Sequence, residues 1–234
     1  AYSLSTIIAR ELKSELLLKI GAVRKAAAEA EKGVFLSRKH NHEMHELIFL
    51  GYKAEAQQLS GDAEGARATI AQATELHKSQ SVMVLTIFMA PFVAARFLVN
   101  IEQLRQAVDS NDLPKITAFR KQASASGKAA LKNARSYAPY RTKILRLMGE
   151  YYWIIQKQGK ALRWWREAIK EGRRLGARPD LARTYLTAGK HLLSSQSNYQ
   201  AVDGIDAKAC LEKAGSLLEE MNLQNSPPLP DHPD

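Results

Sequence analysis

Cysteine, proline, glycine and aromatic residues are all scarce in this chain, and each scarcity removes a class of protein. Its one cysteine, Cys210, cannot close an intramolecular disulfide, so a reducing, cytoplasmic setting is expected. Eight prolines and 13 glycines are too few for a fibrous or linker-like chain, or for the turn density of an all-β fold. Also missing are the motifs that carry chemistry. There is no GxxxxGK(S/T) loop, GxGxxG, HExxH, CxxC or GxSxG, so neither catalysis nor a cofactor is expected. No basic region followed by an apolar core and a small-residue cleavage site marks a leader, and the chain begins at Ala1, as an excised or processed segment would.

A hydrophobic share of 45% excludes a disordered chain. The apolar period is helical throughout, and no run of four to eight residues alternates as a strand would. In the first segment Ile7, Ile8, Leu12, Leu16, Ile20 and Val23 recur at spacings of three and four, which predicts one buried stripe. Residues 82–99 are nearly continuously apolar and about as long as a bilayer span. They contain Pro91 and Arg96, and an Arg near a span's centre costs roughly 2.5–3.5 kcal/mol, so a buried helix is expected and no membrane span. Breakers such as Lys32-Gly33, Ser60-Gly61-Asp62, Ser110-Asn111-Asp112, Gln158-Gly159 and Arg178-Pro179 separate about nine helices. Short turns between long amphipathic helices predict an all-α stack of antiparallel hairpins.

The hairpins repeat. Leu145-x2-Met148-Gly149-x2-Tyr152-x8-Ala161-x3-Trp165-x2-Ala168 follows the tetratricopeptide repeat (TPR) pattern, in which small residues let two helices approach and large ones fill the space beside them. A second copy runs Tyr185-x2-Ala188-Gly189-x2-Leu192, then Ala207-x3-Leu211-x2-Ala214, with a polar insertion over Ser194 to Asp203. A third, weaker copy covers about 46–78, with Gln57 where an aromatic is usual. Residues 1–33 and 81–138 fit no repeat register, so the expectation is a TPR-like α-solenoid with irregular helical pairs. Its organisation reads as a helical region over 1–138, TPR-like repeats over 139–224 and a disordered tail over 225–234.

Residues 137–193 resemble the TPR tails of large multidomain bacterial signalling proteins. Leu175-Gly176-Ala177-Arg178-Pro179-Asp180-Leu181-Ala182-Arg183-Thr184 carries the likeness most clearly, and Leu217-Leu218-Glu219-Glu220-Met221 also fits. Those proteins bear a nucleotide-binding ATPase module of the STAND/AAA type, often joined to an adenylate or guanylate cyclase or protein-kinase domain. The resemblance implies a regulatory or scaffolding segment of a signal-transduction protein, engaged in protein–protein interaction and separate from any catalytic domain.

The charge is unevenly placed. Of a net +10, nine charges fall in residues 113–149, which hold Lys115, Arg120, Lys121, Lys128, Lys132, Arg135, Arg141, Lys143 and Arg146 and no acidic residue. At about 100° per residue, Ile116, Phe119, Ala123, Ala130 and Ala134 share one side of a helix, while Lys121, Lys128, Lys132 and Arg135 share the other. A solvated face is the simplest reading of that basic stripe; the sharper one is an anionic partner, an acidic surface of the parent protein first and an acidic protein or peptide ligand next. Nucleic acid is the alternative and ranks lower, because no reading motif or aromatic platform accompanies the charge. Repeat register adds a candidate groove for an acidic segment: Lys143, Arg146, Glu150 and Trp153, then Arg183 and Lys190. His42 and His45, three apart, are the weak metal candidates, against the plainer reading of a polar helix start. Cys210 reads as a small buried hydrophobe, and Trp164 as partly exposed beside a packed Trp165.

Overall fold

The computed structural model describes residues 4–79 and 85–223. The tail expected over 225–234 and the first residues of the apolar stretch lie outside them. The chain is all-α, with ten α-helices among the described residues. It divides into two compact units between Val99 and Asn100.

The first unit contains α1 (Leu4–Lys19), α2 (Val23–Lys39), α3 (Glu43–Leu59), α4 (Ala63–Ser79) and the start of α5 (Thr86–Asp109). Turns of three residues separate α1 to α4, each helix packs on the next, and α1 also touches α3. In α2 and α3, Gly33 abuts the Phe49 ring so closely that a Cβ there would overlap it. Gly51 admits the α5 backbone in the same way: an added Cβ would stand 2.6 Å from Phe92 N.

The predicted buried stripe of α1 is corrected. Ile7, Ser14 and Leu18 point inward, whereas Leu4, Ile8, Leu12 and Leu16 are exposed. The inward face is mixed: beside Ile7 and Leu18, Arg10 and Lys13 pair with Glu29 of α2, Glu11 pairs with His45 of α3, and Glu15 accepts from the Tyr52 hydroxyl at 3.4 Å.

The second unit holds the rest of α5, then α6 (Leu113–Ser136), a 3-10 turn (Ala138–Tyr140), α7 (Arg141–Ile154), α8 (Gln158–Leu175), α9 (Arg178–Leu193) and α10 (Ala207–Glu220). Asp112 caps α6 by accepting from Lys115 N at 3.1 Å, ahead of Pro114 in the first turn. Gly176, at φ +61°, ends α8 in the left-handed conformation, and Pro179 opens α9. Helices α7 and α8 form one hairpin and α9 and α10 another, with further packing of α8 on α9 and α7 on α9. Gly149 meets the Trp165 indole, whose Nε1 donates to Arg146 O at 3.2 Å. Gly189 meets Leu211, where a Cβ would come within 2.9 Å of Cδ2. Their core joins Trp153, Trp165, Ile169, Tyr185, Leu192 and Cys210.

The polar insertion contains something the sequence reading did not anticipate. β1 (Ala201–Val202) and β2 (Ile205–Asp206) pair antiparallel across Asp203-Gly204, both at positive φ. Asp-Gly is the favoured pair for such a tight turn, and two-residue strands are too short to show alternation. Gln158 anchors the insertion to α8, donating to Gln196 O at 2.7 Å and accepting from Asn198 N at 2.9 Å.

Helix α5 is long and apolar enough to cross a membrane by length and composition, yet 67% of its most apolar window is buried inside the protein. Phe92, Phe97, Ile101 and Leu104 are among its fully buried side chains. Burial lowers the affinity of Arg96 for its proton, and its guanidinium lies 4.9 Å from the centre of the Phe92 ring.

Candidate interaction surface on helix α6

Helix α6 is attached through small residues. Its buried positions are Ala123, Ser126, Gly127, Ala130 and Ala134, with Ser126 accepting from the Asn100 side chain at 3.0 Å. Ile116 and Phe119 are half-buried on the same side. Lys121, Lys128, Lys132 and Arg135 are all exposed on the opposite side, as their spacing predicts. Beside them lie the short side chains of Thr117, Ala118, Ser124 and Ala125, with the half-buried Leu131 along one edge.

The remaining cations of residues 113–149 are used differently. Lys115 pairs with Asp112 at 2.8 Å. Arg141 donates to Ala134 O and Arg135 O at the end of α6, and its Nη1 reaches Glu171 at 2.8 Å. Glu171 also receives Arg174, and these two guanidinium groups, Arg174 foremost, lower its pKa to about 2. By contrast, Arg120, Lys121, Lys128, Lys132 and Arg135 make no ion pair among the described residues. Like charges three and four apart on one helix repel, and here no carboxylate relieves them.

The groove residues separate into two groups. Arg146 and Glu150 are buried and paired with each other, and Arg105 of α5 joins them, reaching Glu150 at 3.4 Å and Glu102 at 3.2 Å. Two arginines and two glutamates therefore close a neutral network inside the second unit. Trp153 is buried too, its ring centre 5.5 Å from Trp165 and 4.8 Å from His191. Lys143 and Arg183 are half-buried, Lys143 beside the Tyr140 ring, and Lys190 is exposed. All six lie on α7 and α9, but Arg146, Glu150 and Trp153 are buried and do not line an open groove, and Arg105 joins the first two from a segment outside the repeat.

His42 and His45 lie 5.8 Å apart between ring centres, but the Nδ1 of His45 pairs with Glu11 and its ring edge meets Phe88. Burial raises the Glu11 pKa, while His45 pulls it back. Among the described residues no three His, Cys, Asp or Glu side chains come together as a metal ion requires. Cys210 is fully buried, and burial, with a smaller effect of Asp206, pushes its pKa up to about 11. Trp164 is half-buried and stacks on Tyr152, with 9° between the planes.

No protein-family model matches the chain, and no curated protein matches it significantly. The reading of the surface therefore rests on its own chemistry. The break expected at Lys32-Gly33 is corrected: Gly33 lies inside α2 and is small for contact with Phe49, a pairing whose signal was the 16-residue spacing it shares with Gly149 and Trp165.

Proposed function

We propose that the chain is a non-catalytic, TPR-like interaction module that docks an acidic protein segment on the exposed face of α6. The observation that carries this reading is the set of four exposed, unpaired cations on one face, inside a stretch with no acidic residue. Holding such charges together costs self-repulsion, which an anionic partner would relieve. The TPR-like part is supported by a contact that recurs in three hairpins, Gly33 with Phe49, Gly149 with Trp165 and Gly189 with Leu211, and by the packing of α7 on α9. The likeness of residues 137–193 to bacterial signalling proteins favours a regulatory role in the cytoplasm, with the acidic segment belonging to a partner or to another domain of the parent protein.

Fluorescence anisotropy with a labelled polyglutamate peptide at about 50 mM salt tests the proposal. Binding that is lost in the variant Lys121→Glu/Lys128→Glu/Lys132→Glu/Arg135→Glu is the expected result. Absence of binding, or equal binding by the variant, overturns it. A random DNA duplex is the control for the nucleic-acid alternative: affinity that exceeds that for polyglutamate and falls steeply with salt would put that reading in its place.

A further inference from the structure

We propose that the segment recognised by α6 is itself a helix, carrying carboxylates at seven-residue intervals and lying along the α6 face. This deepens the proposed function and rests on it. Lys121, Lys128 and Arg135 repeat every seven residues, with Lys132 between the last two, so they recur about every 10.5 Å along one line. A second helix has carboxylates at that same repeat while keeping one side turned to α6.

Two features favour a helix over an extended peptide. A helical face offers no unpaired backbone donors or acceptors, so a strand laid on it would leave its own N–H and C=O groups without protein partners, whereas a helix satisfies them internally. Thr117, Ala118, Ser124 and Ala125 beside the cations are all short, which lets a second rod approach closely on that side and leaves the lysine and arginine stems to reach around it.

The test uses the whole chain and two alanine-based peptides of identical composition. One places four glutamates at i, i+3, i+7 and i+14, the order an antiparallel partner needs; the other spreads the same glutamates around the helix. The expected result is binding of the patterned peptide at least tenfold tighter than the scrambled one, a gain of helical circular dichroism on binding, and loss of the preference in Lys128→Glu/Lys132→Glu. Equal affinities for the two peptides would overturn the helical inference while leaving the acidic-partner reading intact. Failure of both peptides and of polyglutamate would overturn both. Stronger binding to vesicles of anionic phospholipid than to the patterned peptide would also overturn it, in favour of a membrane.

Discussion

Glu171 accepts from Arg141 and Arg174 together, and a carboxylate held by two guanidinium groups is a pH-dependent fastening. Its pKa is depressed from 4.5 to about 2, so the stability it contributes is present above about pH 4.5 and lost as pH falls towards 2. Glu171→Gln should therefore lower the melting temperature at neutral pH, and the gap to the wild type should close between pH 4.5 and 2 in a series of thermal melts. Gly149 and Gly33 are equally specific. A Cβ at either position overlaps a large buried ring, so Gly149→Ala and Gly33→Ala should each destabilise by about 1–3 kcal/mol in urea titrations, despite alanine's better helix propensity. Cys210, buried and with a raised pKa, should stay unmodified by a thiol reagent at pH 8 until the chain is unfolded by denaturant.

At the scale of helices, α1 turns a face inward that mixes Ile7 and Leu18 with ion-paired side chains. Its larger aliphatic stripe is exposed, while Glu29 alone gathers Arg10 and Lys13 from the other side. Leu12→Ser should leave the denaturation midpoint nearly unchanged, whereas Leu18→Ser should lower it clearly, since only Leu18 is buried. In helix α7, Glu150 sits between Arg146 and Arg105, and removing its charge leaves the buried Arg146 guanidinium without its carboxylate, while Arg105 keeps Glu102. Glu150→Gln should cost about 3–5 kcal/mol in chemical denaturation, more than any single reversal on the exposed face of α6.

For the molecule as a whole, the charge excess lies chiefly on α6 and the segment following it, and the rest of the chain is nearly neutral. The helical class, the positions of most turns, the α6 stripe and the α7–α8 and α9–α10 hairpins were legible in the sequence, because helix period and breaker residues act over a few positions at a time. The small strand pair was not, since two residues carry no period. Nor was the fate of Arg146 and Glu150, because their third partner, Arg105, lies 45 residues before Glu150. The sequence by itself determined that the chain is helical, and that four cations of α6 stand opposite its small residues, since both follow from 100° per residue. Only the tertiary structure decided which side of α1 faces inward and which cations are already neutralised. Those outcomes depend on charges that meet from helices distant in sequence, and no local pattern records such meetings.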